Sequence, residues 1–419
     1  MKYEDYRWDF IGENTKEYTH GYHTYPAMMI PQIARALLEE FSDENTKLLF
    51  DPYVGSGTSL VEAKLKKINS IGTDLNPLAR LISKTKTEKI PINFLMSEIY
   101  NYKKNFINSN NYKNTSPKIQ IFSIIDTWFK ENIKIELGYI NTFIKNIINQ
   151  NVKDFFLVAF SETIRKVSFT RQSEFKLYRI SEEKREFFSP ETFNIMLDKL
   201  EDNLKSYKES AFFLEDENIS AKIYDFNTVE EIPRNIISPE TVDIVITSPP
   251  YGDSRTTVAY GQFSRLSNEW LGYNNAVKVD KKLMGGEKTK KFHLFNFLPL
   301  DNVLLKLHEL NKNRAMEIIN FYDDYLNSIR NISKVVKIDG IVAYVVGNRR
   351  VCNIELPTDE VTRNFFERNG FVHLKTIIRN IPNKRLPSKT IPSNKKNGEK
   401  VSTMMKEYIV ILKKRNHYS

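Results

Sequence analysis

The 419-residue sequence predicts an α/β fold: a doubly wound, seven-stranded sheet interrupted by helical insertions. Three observations carry that expectation. Short apolar runs recur along the chain, most are followed by segments with helical spacing, and two of the runs end in turns built from glycine or proline.

The first strand, 47–51, reads Lys-Leu-Leu-Phe-Asp and runs into a glycine-rich turn, after which 61–67 has helical spacing. The next strand, 69–74, ends on an acid. Strands at 221–225 and 242–246 follow, with Asp225 and Thr247 at their carboxyl ends. The runs 338–346, 371–379 and 404–412 complete the seven, and helical patterns at 321–336 and 358–369 fall between the late strands. Two stretches break the rhythm. Residues 91–220 are rich in Asn, Lys, Ile and Phe at helical spacing, and 252–314 carry the basic run Lys281, Lys282, Lys288, Lys290 and Lys291. Structureless connections of that length are uncommon in a compact domain, so both are expected to be insertions with structure of their own. A third loop, 381–400, holds three prolines and six Lys or Arg, Lys384 and Arg385 among them.

Lys plus Arg outnumber Asp plus Glu by 62 to 52, for a net charge of +10. That surplus suits a polyanion, because each cation placed on a phosphate releases counterions. Cys352 is the single cysteine, so an intramolecular disulfide and a cysteine-rich zinc site are excluded, and the six histidines lack metal-ligand spacing. No metal is expected. The start, MKYEDYRWDF, has no signal-peptide pattern, and no run reaches the roughly eighteen apolar residues of a spanning helix. The expectation is a soluble, cytoplasmic protein without a membrane partner.

The first chemical motif is Asp51-Pro52-Tyr53-Val54-Gly55-Ser56-Gly57-Thr58-Ser59. A strand ends, the backbone turns over two glycines and a helix begins. Such a turn lets a ligand approach the main chain closely and offers it unpaired N–H groups. A lone GxG is usually an ordinary tight turn. Asp74 shifts the balance, because it closes the following strand 23 positions beyond Asp51. An acid there, at a separation of about 20, accepts hydrogen bonds from ribose hydroxyls. Ser59 and Leu60 stand where a dinucleotide fingerprint needs its third glycine, which disfavours NAD.

The second motif is Asp243-Ile244-Val245-Ile246-Thr247-Ser248-Pro249-Pro250-Tyr251. Two prolines cannot continue a central strand, so the chain leaves the sheet in a stiff turn. The Ser248 side chain and the Pro249 carbonyl are then fixed at the sheet edge, with Tyr251 as a flat surface beside them. Taken alone, a plain strand-ending turn with a core tyrosine is an equal reading.

Together the two motifs resemble the exocyclic-amino DNA methyltransferases, which pair a glycine-rich cofactor loop with a (D/N/S)-P-P-(Y/F/W) loop. Thr247-Ser248-Pro249-Pro250-Tyr251 is similar to the form typical of their N4-cytosine group. The resemblance implies a Rossmann-like methyltransferase sheet, S-adenosylmethionine as donor, double-stranded DNA as substrate and a base flipped from the duplex. It allows a cognate restriction endonuclease as partner. His23, Tyr25 and Pro26 resemble the family's N-terminal cofactor segment. Asp74 and Leu75 resemble its ribose stretch, and Asp225 and Phe226 the segment beside the adenine ring. With Asp51, Tyr53, Gly55, Gly57, Thr58 and Thr247 these form the expected cofactor set, and Ser248, Pro249, Pro250 and Tyr251 the catalytic set. Residues 20–85, 221–252 and 315–415 would make the catalytic domain. The segments 86–220 and 253–314 would be insertions available for DNA recognition. The cofactor motif precedes the catalytic loop, an order reversed in some branches, so the resemblance does not locate the target-recognition segment.

The chemistry follows from the acceptor. An exocyclic amine is a poor nucleophile because its lone pair is delocalised into the ring. Acceptors aimed at its N–H groups, Ser248 Oγ and the Pro249 carbonyl, would draw the nitrogen toward tetrahedral geometry, and Tyr251 would stack on the flipped base, chiefly as a ring. Methylation at C5 of cytosine would need a thiolate, usually after proline. Cys352 follows Val351, far beyond the loop, and reads as a small buried or incidental residue. The nearest rival is N6 of adenine. Related loops also occur in enzymes acting on RNA or protein amides, and a silent DNA-binding protein is the rival of another class. Residues 161–180 mix Arg165, Lys166, Arg171, Lys176 and Arg179 with Phe169, Phe175 and Tyr178. Arg171 and Arg179 are candidate DNA contacts with Lys288, Lys290, Lys384 and Arg385, although a solvated amphipathic helix is the slightly favoured reading of 161–180.

Overall fold

The computed structural model describes residues 1–252, 259–274, 276–286, 291–381, 389–390, 401–402 and 406–416. Its main sheet contains β1 (Lys2–Glu4), β2 (Leu48–Asp51), β3 (Asn69–Thr73), β4 (Ala221–Tyr224), β5 (Val242–Thr247), β6 (Val336–Val346), β7 (Phe371–Asn380) and β8 (Lys406–Lys414). The order is β1-β7-β8-β6-β5-β2-β3-β4. All seven expected strands are present, and the sheet has eight because Lys2–Glu4 pairs in parallel with β7 through Lys2↔Thr376. Strand β8 runs antiparallel to both β6 and β7, and the pairs among β2 to β6 are parallel.

The longer helices among the described residues are α1 (Pro31–Phe41), α2 (Thr58–Leu65), α3 (Pro77–Thr87), α4 (Ile92–Phe106), α5 (Glu131–Asn146), α6 (Gln150–Lys166), α7 (Thr192–Leu214), α8 (Tyr260–Trp270), α9 (Leu298–Leu310), α10 (Lys312–Val335) and α11 (Thr358–Glu367). The period-2 alternation of the strands sorts side chains to two faces. Ala343 and Val345 join Ile33, Leu37 and Leu60 of α1 and α2 on one side. Val342, Tyr344 and Val346 meet Ile329 and Ile332 of α10 and Phe365 of α11 on the other. Each fully buried Val, Leu or Ile stabilises by about 1.5–3 kcal/mol, which explains why β5, covered on both faces, is apolar almost throughout.

The long segment 86–220 is largely helical, as its spacing suggests, and its Leu95, Ile99, Leu137, Phe155, Phe156 and Leu200 share one core with Tyr22, Leu78 and Ile82. The segment 253–314 is divided between two cores. Helix α8 sends Phe263, Leu266 and Trp270 into the helical core, while Leu300, Leu304 and Leu307 of α9 pack against the sheet with α10. Among the described residues no helix is long and apolar enough to cross a membrane.

Strand order reverses at β2. From there β3 and β4 extend one way, β5 and β6 the other, and the crevice at the carboxyl ends of β2 and β5 is where ligands bind in open α/β sheets. Both motifs empty into it.

Candidate functional site

The two motifs are joined by a buried carboxylate. Asp51, at the end of β2, accepts hydrogen bonds from Thr247 Oγ1 at 2.6 Å, from the Tyr53 backbone N–H at 3.1 Å and from Ser59 Oγ. Burial pushes its carboxyl up to about 6, against the pull of those donors. Beyond it the turn reaches Gly55 at φ 49° and Gly57 at φ 84°, the left-handed region that glycine adopts at low cost. Gly55 donates its N–H to Asp74 Oδ2 at 3.1 Å, and the Asn76 N–H reaches Asp74 Oδ1 at 2.8 Å. Burial raises this carboxyl to about 6 as well.

These loops line a common cleft. Of the sequence-predicted residues, Tyr25, Pro26, Asp51, Tyr53, Gly55, Thr58, Asp74, Leu75, Phe226, Ser248 and Pro250 face it. Apolar Phe226 and Leu75 lie with the Asp74 carboxylate at one set of strand ends, and Ser248 and Pro250 stand at the end of β5. An apolar slot with one acid at the second strand end and backbone N–H groups at a helix start fits a nucleoside carrying an amino-acid tail.

Several expected cofactor residues take other places. His23 is buried edge-on against Phe263, with ring centroids 6.2 Å apart, and lies outside the cleft lining. Burial lowers its pKa to about 4, so it is a neutral packing group behind Tyr25. Gly57 also lies outside the lining: a Cβ there would meet Ser83 Cβ at 2.7 Å, so glycine is needed for the close approach of α2 to α3. The Asp225 side chain is 77% exposed and faces Arg80 at 3.9 Å, because β4 is an edge strand whose end opens to solvent. Thr247 is fully buried and spends its hydroxyl on Asp51. Pro249 and Tyr251 are absent from the lining. The Tyr251 hydroxyl is nevertheless engaged, accepting from Ser248 Oγ at 3.2 Å and donating to Glu407 Oε1 at 3.0 Å. Burial first, and the Glu407 charge next, hold its pKa well above the ordinary tyrosine value.

Other lining residues carried no sequence signal. Ala27, Met28 and Met29 extend the N-terminal wall, and Asn227, Thr228 and Val229 continue the Phe226 segment. Tyr260, Leu283 and Met284 come from the segment 253–314. Tyr260 stacks on Tyr25 with centroids 6.0 Å apart and planes at 24°. Asn76 donates to both Tyr25 Oη and Ser264 Oγ at 3.0 Å, fixing α8 to the cofactor loops.

Among the candidate DNA contacts, Arg171 and Arg179 are exposed on a short hairpin closed by a Thr170–Arg179 bridge. Arg165 and Phe169 face inward, Arg165 over the Phe263 ring at 4.4 Å. Lys288, Lys290, Lys384 and Arg385 lie outside the described residues. Cys352 is exposed at the turn between Arg350–Val351 and Ile354–Glu355, away from the cleft lining.

A family described as DNA methylase matches residues 2–85. The chain is 40% identical over 428 residues to the type II methyltransferase M.MvaI of Kocuria varians, covering 96% of this chain and 93% of that protein. It is 25% identical over 265 residues to the type II methyltransferase M.BsoBI of Geobacillus stearothermophilus, covering 57% of this chain and 50% of the other. Among solved structures, the rRNA methyltransferase aviRa from Streptomyces viridochromogenes aligns with a TM-score of 0.32 at 10% identity, over 93% of this chain and 86% of that one. So low a score adds nothing about the reaction.

Proposed function

The chain belongs to the type II DNA methyltransferases, and from that premise we propose that it methylates the exocyclic N4 of cytosine in a flipped-out base of double-stranded DNA. S-adenosylmethionine is the donor, and when bound it supplies a methyl group activated by its sulfonium. Asp74 would accept the ribose hydroxyls, Phe226 and Leu75 would flank the adenine, and the N–H groups at the start of α2 would receive the carboxylate.

Ser248 carries the choice of base. It lines the cleft at the end of β5, a neutral hydroxyl where many adenine enzymes of this resemblance hold Asp or Asn. Its Oγ would accept one amine N–H and the Pro249 carbonyl the other, so that charge developing on the nitrogen meets fixed acceptors. In-line placement of amine and methyl supplies much of the remaining acceleration. A cognate restriction endonuclease acting at the same site is the partner this reading provides for.

Mass spectrometry of nucleosides from DNA treated with the purified protein tests the base. N4-methylcytosine is expected. N6-methyladenine would transfer the same loop to adenine, and 5-methylcytosine would overturn the mechanism, which uses no thiolate.

A further inference from the structure

The Tyr251 hydroxyl is one link in a chain that leaves the cleft and ends on the far strands of the sheet. Ser248 Oγ donates to Tyr251 Oη, and Tyr251 Oη donates to Glu407 Oε1. The other Glu407 oxygen is held by Arg379 Nη1. Arg379 and Glu407 are register partners on β7 and β8, and their side chains are 4% and 16% exposed. Arg379 is fixed in turn by the backbone carbonyls of Trp8, at 2.7 Å, and Asp9, at 3.3 Å.

Proton counting gives this chain a direction. A carboxylate ion-paired with arginine only accepts hydrogen bonds, and each hydroxyl has one proton to donate. Tyr251 therefore gives its proton to Glu407, and its oxygen can only receive from Ser248. Ser248 gives its single proton to Tyr251, which leaves only lone pairs facing the cleft.

We propose that Glu407 is a positioning residue for methyl transfer, orienting the Tyr251–Ser248 hydroxyls so that Ser248 meets the target base as an obligate acceptor. The proposal deepens the reading of Ser248 given above and rests on it. It explains how a neutral hydroxyl serves where related loops use an acid or amide: the negative charge stands two hydrogen bonds away. It also gives specificity. A base presenting an amine is accepted, and one presenting a carbonyl at the same position, as uracil or thymine does, meets lone pair against lone pair.

Glu407→Gln tests the direction. Its amide oxygen would turn to Arg379 and its NH2 to Tyr251, reversing the chain and pointing the Ser248 proton at the substrate. The single-turnover methylation rate should fall tenfold or more, with S-adenosylmethionine affinity by calorimetry unchanged. In a Tyr251→Phe background, where the chain is already cut, Glu407→Gln should cost less than twofold further. An undiminished rate, or an equal factor in both backgrounds, overturns the proposal. Tyr251→Phe leaves the Arg379–Glu407 pair and the stacking ring intact, so, contrary to the role chiefly as a ring expected from the sequence, it must itself slow transfer. A wild-type rate there overturns the proposal even if Glu407→Gln does not fold. Ser248→Ala separates the two levels. No loss in that variant removes the reading of the catalytic loop together with the relay. Loss at Ser248→Ala with none at Glu407→Gln removes only the relay.

Discussion

Thr247 donates a 2.6 Å hydrogen bond to Asp51, and through it the last residue of β5 is tied to the last residue of β2. Both side chains are buried, and Ser59 brings the first turn of α2 to the same carboxylate. On the proposed reading, the spacing between the methyl donor and the Ser248 loop would thereby be set inside the sheet, out of reach of solvent.

Thr247→Val keeps the shape and removes the donor. A buried carboxylate short of a partner costs about 1–3 kcal/mol, so the melting temperature should fall. Loss of a bond that favours the ionised form should also move the Asp51 carboxyl further upward. Thr247→Ser, which keeps the hydroxyl, should recover most of the stability in thermal unfolding.

Asp74 predicts a pH dependence of cofactor affinity. Its carboxyl is raised by burial from 3.8 to about 6 in the protein without ligand. Ribose hydroxyls need it ionised, so proton and cofactor compete. Affinity should fall by up to about tenfold per unit as pH drops below about 6, and level off above it. Asp51, raised to about 6 as well, titrates in the same range, so Asp74→Asn isolates the Asp74 share by weakening the dependence. Asp74→Ala should cost about 1–3 kcal/mol of binding. Without ligand the sign for stability is opposite to that of a salt-bridged acid. Between about pH 4 and 6 the folded state holds protons that the unfolded chain has released, so the contribution of both carboxyls falls as pH rises through that window. Calorimetry between pH 5 and 8, with melting curves from pH 4, checks both; a flat affinity profile would remove Asp74 from the ribose site.

Gly57→Ala should act on stability before it acts on the cofactor. Its φ of 84° disfavours any side chain, and the added Cβ would lie 2.7 Å from Ser83 Cβ and 2.9 Å from Ser83 Cα. The backbone contact cannot be relieved by a rotamer change, so left-handed strain and overpacking together should cost about 2–4 kcal/mol. Chemical denaturation measures this directly, and a wild-type midpoint would show that α2 and α3 can separate.

What the sequence made legible follows from how local each signal is. Strand β5 and its neighbours are apolar on both faces, so their runs stand out without any knowledge of their partners. Strand β1 has no such run: Lys2, Tyr3 and Glu4 are ordered by pairing with β7, hundreds of positions away. The same holds at the site. Asp51 to Thr58 and Thr247 to Tyr251 announce themselves through glycine and proline, whereas Tyr260 and Met284 reach the cleft from a distant segment, Tyr260 on a helix bonded to Asn76 through Ser264. Glu407 becomes relevant through its register with Arg379. His23 and Asp225 show the converse. Both adjoin true lining segments in sequence, yet one packs behind Tyr25 and the other leaves an edge strand for solvent.

Arg171 and Arg179 supply the last prediction, concerning DNA. They are exposed on a hairpin that follows α6, held by the Arg171 N–H to Tyr178 carbonyl bond at 2.8 Å and the Ile180 N–H to Phe169 carbonyl bond at 2.9 Å. The hairpin touches α8 through the Leu177 N–H and Gln262 Oε1, and α8 begins with Tyr260 of the cleft lining. Two cations beside a half-exposed Tyr178 are thus linked, through α8, to an element that lines the cleft. If each guanidinium rests on one phosphate, each releases about 0.9 counterion, and removing both should lower the slope of log K against log salt by about 2. The double variant Arg171→Gln, Arg179→Gln should weaken binding to cognate and unrelated duplexes by similar factors, because phosphate contacts carry no sequence information. Fluorescence anisotropy titrations across a salt series read both quantities. Coincident slopes for the variant and the wild type would take this hairpin off the DNA, while an effect confined to the cognate sequence would make the two arginines base readers instead.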